Sequence, residues 1–294
     1  MSNYKRLEGG LKTRGLFNRE STPDRPLVSI ITVCYNSEKY LEQTIQSVIN
    51  QTYNNIEYII IDGASTDGTL SIIRKYDDYI AYWMSEPDKN MYDAINKGLD
   101  LISGEYWAVL NSDDYYFPNT IQNVVDLFSK NPKLDVINGA IRDIDINDKY
   151  LRIKYNPKFN VKSMIRMKIT GIIDQPATFL RKEVVSRIGK FNINYPVISD
   201  YDFLIRVGLN CKVKSCNDIF TNFRIHSECL SMDNKEIESE KNREEIVTYY
   251  SKKYNVNMNL FWWDYLRLYL KNLRIENYKS ILRKIKRTVC SINI

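Results

Sequence analysis

The stretch Glu-Tyr-Trp-Ala-Val-Leu-Asn-Ser-Asp-Asp-Tyr-Tyr-Phe-Pro, residues 105–118, joins a short apolar run to an acidic turn. The apolar run, from Tyr106 to Leu110, predicts a buried β-strand. Asp113 and Asp114 follow at its carboxyl end, where adjacent carboxylates repel each other unless a cation or hydrogen-bond donors lie between them. The turn by itself fits two interpretations: a divalent-metal site for a phosphorylated ligand, or an Asp-Asp turn solvated by water.

Strands and helices alternate on both sides of this stretch. The predicted strands are 27–34, 56–61, 80–84, 106–110, 134–138, 175–179 and a pair near 212–225, with a hairpin around 147–148. The predicted helices are 38–50, 69–76, 91–102, 121–128 and about 202–209. Such alternation is typical of βαβ units, so we predict an α/β fold with a mainly parallel sheet flanked by helices.

The chain divides into three predicted parts. Residues 1–26 are polar and predict a loosely ordered lead-in. Residues 27–230 contain the α/β domain. Residues 231–294 predict a helical, basic extension: between 264 and 294 there are eight Lys or Arg against two Asp or Glu, which equals the whole formal net charge of +6.

Composition describes an ordinary globular protein, with 44% hydrophobic and 27% charged residues. No run of about 18 apolar residues occurs, and the N-terminus has no signal-like apolar segment. Five cysteines without metal-ligand spacing predict reduced thiols and a cytoplasmic protein. Neither the P-loop pattern nor the dinucleotide pattern G-x-G-x-x-G is present.

Acidic turns follow three separate predicted strands, at Asp62, Asp88 and Asp113-Asp114. The carboxyl ends of parallel strands meet at one edge of a sheet, where open α/β sheets bind their ligands. Carboxylates gathered there suit a metal ion that bridges two phosphates. This convergence favours the metal-site interpretation of the acidic turn.

Four blocks of sequence occur in order between residues 27 and 230. They are Val-Ser-Ile-Ile-Thr-Val-Cys-Tyr-Asn (28–36), Ile-Asp-Gly-Ala-Ser-Thr-Asp-Gly-Thr (61–69), Ser-Glu-Pro-Asp-Lys-Asn-Met-Tyr-Asp-Ala-Ile-Asn-Lys-Gly (85–98) and Leu-Asn-Ser-Asp-Asp (110–114). In order and spacing they resemble the family 2 glycosyltransferases, which have the GT-A fold and transfer sugars from nucleotide-sugar donors with inversion. The WcaA-like enzymes of bacterial surface-polysaccharide synthesis are the subgroup that we expect.

The resemblance implies a nucleotide-sugar site and a metal cofactor, Mn²⁺ or Mg²⁺. Asp62 is expected to accept a hydrogen bond from the base, although Gly63 stands where family members often carry a second acid. Asn111 replaces the first Asp of the family's Asp-x-Asp motif, so Asp113 is the expected metal ligand. The residues expected to bind the nucleotide sugar are Thr32, Tyr35, Asn36, Asp62, Asp88, Lys97, Asn111 and Ser112.

Asp200, at the start of a predicted helix, corresponds to the catalytic base of the family. An alcohol is a poor nucleophile, and a positioned carboxylate accelerates its attack by about 10²–10⁴-fold. The structural alternative makes Asp200 a helix N-cap and Asp202 a first-turn charge. Asp202, Gln175 and Phe179 are expected on the acceptor side; the alternative for Gln175 and Phe179 is a strand edge and the core.

His226 is the only histidine of the chain. A single histidine in a strand-like run is usually a packing or surface residue. The resemblance offers a metal ligand at this position instead, although imidazole suits Mn²⁺ less well than a carboxylate does. Both interpretations stay open.

Apolar and basic residues alternate at helical spacing over residues 260–290. Aromatic anchors beside a cationic face fit a helix that lies on an anionic bilayer, so we predict peripheral contact with the inner face of the plasma membrane. The alternative is packing on the catalytic domain or on a second subunit, which would make a homo-oligomer. Nucleic acid is supported by charge alone, and we predict no such partner.

The favoured function is an inverting, metal-dependent glycosyltransferase. Its donor is expected to be a UDP-sugar, and its acceptor a hydroxyl of a glycan or lipid-linked oligosaccharide in O-antigen or capsule synthesis. A processive polysaccharide synthase is a second candidate, against which the missing membrane spans and the missing Gln-x-x-Arg-Trp motif argue. A catalytically silent nucleotide-sugar-binding or scaffold protein is a third, which only Asn111 favours.

Overall fold

Two neighbouring strands, Val28–Cys34 and Ile56–Asp62, are buried at every position. Both consist almost wholly of apolar and β-branched residues, because each lies in the middle of a sheet that helices cover on both faces. The computed structural model describes residues 5–156, 160–168, 174–226 and 236–258. Within these residues the fold is an α/β sandwich, and the predicted class is confirmed.

Most predicted elements occur in the predicted order with shifted ends, and the structure adds two strands and two helices that were not predicted: Leu7–Gly9, Tyr115–Tyr116, Val161–Met167 and Glu183–Ile188. The strands are β1 (Leu7–Gly9), β2 (Val28–Cys34), β3 (Ile56–Asp62), β4 (Tyr82–Ser85), β5 (Tyr106–Val109), β6 (Tyr115–Tyr116), β7 (Val136–Ile144), β8 (Tyr150–Lys154), β9 (Thr178–Arg181) and β10 (Val213–Arg224). The helices are α1 (Leu41–Ile49), α2 (Thr69–Lys75), α3 (Met91–Leu99), α4 (Thr120–Lys130), α5 (Val161–Met167), α6 (Glu183–Ile188), α7 (Ser199–Asn210) and α8 (Glu236–Lys253).

The strands form one mixed sheet in the order β1-β4-β3-β2-β5-β9-β7-β10-β6, and β8 pairs with β7. β4, β3, β2 and β5 are mutually parallel, so their carboxyl ends share one edge. β9 runs antiparallel to β5. Helices α1, α2 and α4 pack on one face and α3, α6 and α7 on the other, each through a separate apolar cluster.

Several sequence-based expectations were wrong in detail. The lead-in, predicted as loosely ordered, contains a strand in its described part: β1 pairs antiparallel with β4 at the edge of the sheet. Gln175–Ala177 is a 3₁₀ turn ahead of β9, because the amide-free Pro176 suits a turn better than a ladder. Residues 212–225 form one bulged strand, β10, rather than two.

The C-terminal half adds a third apolar cluster. It joins α5, α7 and α8 through residues such as Ile165, Leu204 and Ile246. No helix in the described part of the chain is long and apolar enough to cross a bilayer. The predicted basic helices over 260–290 lie outside the described residues.

Candidate active site

The turns that follow β2 and β3 are joined by backbone and side-chain hydrogen bonds. The Asn36 backbone N–H donates to Ser65 Oγ at 2.8 Å, and the Asn36 amide oxygen accepts from the Thr66 N–H at 2.9 Å. Asn36 adopts a left-handed conformation, with φ 49°, which asparagine tolerates well. In this structure Asn36 therefore holds the two turns together.

Asp62 has no oxygen left for a nucleotide base. Its side chain is fully buried, and Oδ1 accepts from Ser65 Oγ at 2.5 Å. Oδ2 accepts from Ser85 Oγ at 2.6 Å and from the Ser65 N–H at 3.1 Å. These contacts come from its own turn and from β4, and they do not support the expectation that Asp62 binds the base. Its role here is to stabilise the turn.

Thr32 was also misplaced by the sequence interpretation. It lies in the middle of β2 without exposed surface, and its hydroxyl accepts a hydrogen bond from Tyr58 Oη at 3.1 Å. It is a core residue and does not line a pocket.

The Tyr35 side chain is 65% exposed and lies beside Gly63 and Asp88. A Cβ atom placed on Gly63 would be 3.2 Å from Asp88 Oδ2 and 3.4 Å from Tyr35 Cδ2. Lys97 Nζ lies 2.6 Å from Asp88 Oδ1 and 2.8 Å from Glu86 Oε1. Burial raises the pKa of Asp88, and the Lys97 ammonium offsets only part of this effect. The carboxyl edge of the sheet thus brings together the exposed ring of Tyr35, the open space at Gly63 and the carboxylate of Asp88.

The turn after β5 carries three polar side chains with different surroundings. Ser112 Oγ donates to Ser37 Oγ at 2.9 Å, which ties this turn to the turn after β2. Asn111 Oδ1 is buried and has no hydrogen-bond partner among the described residues. Asp113 is partly exposed, and its Oδ2 lies 2.8 Å from His226 Nε2. The structure therefore brings together the two residues that the sequence predicted as metal ligands.

The two adjacent carboxylates of the acidic turn, Asp113 and Asp114, differ in their burial. Asp114 points inward and is fully buried, with Oδ1 accepting from the Arg224 backbone N–H at 3.0 Å. Burial, and then the charge of Asp113, raise the pKa of Asp114. The Arg224 guanidinium is buried below the turn and donates from Nε to the Asp113 carbonyl at 3.1 Å. Only Asp113 of the pair is left for a ligand.

Arg224 is a site residue that sequence reasoning missed. Its Nη2 donates to Gln43 Oε1 at 2.6 Å and to Asp148 Oδ1 at 2.8 Å, and its guanidinium lies 4.3 Å from the Tyr40 ring centroid. It thereby connects α1, the β7–β8 hairpin and the acidic turn. The sequence feature that could have identified Arg224 is a basic residue in a strand-like run, two positions before the only histidine of the chain.

Asp200 stands in the first turn of α7 and lines a small, mostly apolar pocket. The cavity holds about 20 Å³, and Val109, Gln175 and Phe203 are among its walls. Asp200 Oδ1 accepts from the Tyr201 N–H at 2.8 Å and from Tyr92 Oη at 3.2 Å. Burial raises the pKa of Asp200. Because Val109 precedes Asn111 by two positions, this pocket adjoins the acidic turn.

Two of the three residues expected on the acceptor side have other contacts. Phe179 is fully buried and packs against Phe220 and Tyr116, so it belongs to the core. Asp202 is buried, accepting from Arg206 through Oδ2 at 2.7 Å and from Tyr250 Oη through Oδ1 at 2.9 Å. Gln175 lines the Asp200 pocket, and its Nε2 donates to the Val109 carbonyl at 3.4 Å.

The described residues contain no cluster of three or more His, Cys, Asp or Glu side chains arranged for a metal. Mg²⁺ and related ions commonly take one or two protein carboxylates and complete their coordination with substrate phosphates and water. A partly exposed Asp113 with His226 beside it fits that donor set. Such a site needs the substrate to complete it.

Solved structures with a similar fold place the molecule in a structural class. The TarS 1–349 structure from S. aureus in complex with UDP has a TM-score of 0.58 at 19% identity, over 75% of this chain and 64% of that chain. The mannosyltransferase PcManGT from Pyrobaculum calidifontis, in complex with GDP-Man and Mn²⁺, has a TM-score of 0.54 at 18% identity, over 74% and 64%. The chain thus spans less than two thirds of either structure. Its fold is GT-A.

The family follows from sequence. The model of "Glycosyl transferase family 2" matches residues 29–189. An uncharacterised glycosyltransferase of Haemophilus influenzae is 29% identical over 87% of each chain, and one of Mycobacterium tuberculosis is 29% identical over 64% of this chain and 71% of its own. The protein belongs to glycosyltransferase family 2 and is a glycosyltransferase.

Proposed function

We propose that the protein transfers a sugar from a nucleotide-sugar donor to an acceptor hydroxyl with inversion, and that Asp200 is the catalytic base. The observation that carries this proposal is the Asp200 pocket, which adjoins the turn of Asn111 and Asp113 at the carboxyl edge of the sheet. The donor binds along that turn. Asp200 takes the proton of the acceptor hydroxyl as its oxygen attacks the anomeric carbon from the face opposite the leaving diphosphate.

The raised pKa of Asp200 suits this role, because a carboxylate of higher pKa is a stronger base toward a hydroxyl proton. Asn111 Oδ1, buried and without a partner in the described structure, is available to accept from a ribose hydroxyl. Asp113, with His226, would hold Mn²⁺ or Mg²⁺. When bound, such an ion neutralises charge on the diphosphate, an effect of several kcal/mol.

A UDP-sugar is our proposed donor. Asp62 is closed to the base, whereas Tyr35, Gly63 and Asp88 together offer a stacking surface, free space and a carboxylate acceptor for a base N–H. We further propose a glycan or lipid-linked acceptor in surface-polysaccharide synthesis at the inner face of the plasma membrane, with residues 260–290 as the contact. The basic composition of that segment supports this assignment.

A thermal-shift screen of UDP-, GDP- and dTDP-sugars, with and without Mn²⁺, tests donor and metal together, because a ligand of the native state raises the Tm. We expect the largest shift with a UDP-sugar and Mn²⁺, followed by slow hydrolysis of that donor. Asp113→Ala should abolish the metal-dependent part of the shift. Donor binding without hydrolysis or transfer would favour the silent binding protein, and full turnover by both Asp113→Ala and Asp200→Asn would refute the site assignment.

A further inference from the structure

Tyr92, on the first turn of α3, is buried, and its hydroxyl contacts the Asp200 carboxylate. Its ring stacks on Phe191 with the centroids 5.6 Å apart. Its hydroxyl oxygen lies 3.2 Å from Asp200 Oδ1 and 3.1 Å from the Val197 carbonyl oxygen. The single hydroxyl hydrogen is therefore shared between the Asp200 carboxylate and the Val197 carbonyl, which lies in the segment that leads into α7.

The same face of α3 holds that segment in two further places. Asn90 caps the helix by accepting from the Tyr92 and Asp93 N–H groups, and its Nδ2 donates to the Ile193 carbonyl at 3.0 Å. Asn96 exchanges two hydrogen bonds with the Phe191 backbone, at 2.9 and 3.0 Å. Because both ends of α3 are tied to residues 191–197, the Tyr92 ring has a fixed position relative to Asp200.

The two oxygens of Asp200 have different surroundings. Oδ1 accepts from the Tyr201 N–H and from the Tyr92 hydroxyl. Such donors hold a carboxylate in one rotamer and direct the other oxygen elsewhere. We propose that Tyr92 is the positioning residue of the catalytic base: it fixes Asp200 through Oδ1, so that Oδ2 meets the acceptor hydroxyl. This inference depends on the proposed function of Asp200.

The electrostatic surroundings agree with this arrangement. Burial, and then the nearby Asp200 charge, raise the pKa of the Tyr92 hydroxyl far above its usual value, so Tyr92 remains a donor throughout the working range. Against the effect of burial, the pKa of Asp200 is lowered by the Tyr201 N–H, the Tyr92 hydroxyl and the charge of Arg243 on α8. Loss of the hydroxyl removes one of these and raises the pKa of Asp200.

Tyr92→Phe removes the hydroxyl and keeps the ring. We expect kcat to fall about tenfold, as for a hydrogen bond to a charged group, with KM for the donor unchanged. The acid limb of the kcat/KM profile should move to higher pH. Tyr53→Phe is the matched control, because Tyr53 also donates from a buried ring to a carbonyl, that of Pro26, at the opposite edge of the sheet. It should leave the pH profile unchanged.

A second measurement does not depend on turnover. The carboxyl carbon of Asp200 in ¹³C-aspartate-labelled protein, assigned with Asp200→Asn, should titrate at higher pH in Tyr92→Phe than in the unmodified protein. If Tyr92→Phe does not fold, 3-fluorotyrosine at position 92 keeps the shape and is a stronger donor, so the titration should move to lower pH. If the Asp200 carboxyl titrated at the same pH in the unmodified protein, in Tyr92→Phe and in the 3-fluorotyrosine protein, the role of Tyr92 would be overturned. Full turnover in Asp200→Asn would instead overturn the proposed function and leave the titration result standing.

Discussion

The two edges of the central sheet both contain buried carboxylates, but they treat them in opposite ways. At the amino edge, Glu57 is fully buried and accepts from the Ser103 N–H at 2.7 Å and from the hydroxyls of Ser29 and Ser103. Lys12 Nζ adds an ion pair at 2.5 Å. Burial by itself raises the pKa of Glu57, but these donors outweigh burial, and the pKa lies below its usual value.

At the carboxyl edge, Asp88, Asp114 and Asp200 all have raised pKa values, with burial as the largest cause. The hydrogen-bond donors and cations around these three carboxylates do not offset the effect of burial on their pKa values. At the amino edge, hydrogen-bond donors and Lys12 thus stabilise the ionised form of a buried carboxylate. Asp88 and Asp200, which line the proposed site, lack such a set of donors, and perturbed carboxylates of this kind are a pattern expected of functional sites.

The largest effect that would test this comparison is expected for Asp200→Asn. Turnover should fall about 10²–10⁴-fold, because the general base is lost. The Tm should stay the same or rise, because a buried charge with a raised pKa is removed. Turnover assays and thermal unfolding of the same preparation measure both. A fall in Tm together with unchanged turnover would mean that Asp200 stabilises the fold as Glu57 does, and the proposed difference between the two edges would be wrong.

At the amino edge, Lys12→Met should lower the free energy of unfolding by about 2 kcal/mol, because the buried Glu57 carboxylate loses a charged hydrogen-bond donor and keeps its serine donors. Urea unfolding, repeated across the acidic and neutral pH range, provides the measurement. Lys75→Met is the matched control: its pair with Glu42 is exposed, and such pairs contribute about 0–1 kcal/mol.

The same pair predicts a pH dependence. A carboxylate with a lowered folded-state pKa stabilises the protein above its unfolded-state pKa and loses this contribution as the pH falls through the folded-state value. The stability of the unmodified protein should therefore decline below about pH 4, the usual range of Glu. In Glu57→Gln, which lacks this titration, the decline should be shallower. Parallel pH profiles of the two proteins would contradict the assignment.

A smaller effect is expected for Tyr250→Phe, which removes the hydrogen bond from α8 to Asp202 on α7. The free energy of unfolding should fall by about 1 kcal/mol, the usual value for a hydrogen bond. KM values for donor and acceptor should stay unchanged, because Asp202 has a structural role. A raised acceptor KM would restore the original prediction that Asp202 lies on the acceptor side.

The smallest effect is expected for Ala64→Gly in the turn after β3. Ala64 has φ 63°, a left-handed conformation that costs alanine free energy and glycine almost none. The substitution should stabilise the protein by about 0.5 kcal/mol, since the more flexible unfolded glycine offsets part of the relief. Asn36→Gly, at φ 49°, is the contrasting variant: it should destabilise, because it loses the bond to the Thr66 N–H. Urea midpoints measure both.

The sequence predicted the central strands well, because β2, β3 and β5 are apolar runs whose burial follows from composition. Asp113 and His226, more than a hundred positions apart, were named as candidate metal ligands, and the structure places Asp113 Oδ2 2.8 Å from His226 Nε2. The sequence interpretation misjudged Thr32, Phe179 and Asp202, because a residue type and a spacing do not reveal whether a neighbour already fills the space. Arg224 was missed for the same reason, since its partners come from three distant segments.

By itself the sequence determined the order of strands and helices, the family and the set of acids at the ends of the parallel strands. Only the tertiary structure decided which acids remain available. Asp62 accepts hydrogen bonds from Ser65 and Ser85 and is fully buried, whereas Asp200 lines a pocket. The physical reason is that hydrogen-bond saturation and burial depend on groups from distant segments, while apolar periodicity is a local property of the chain.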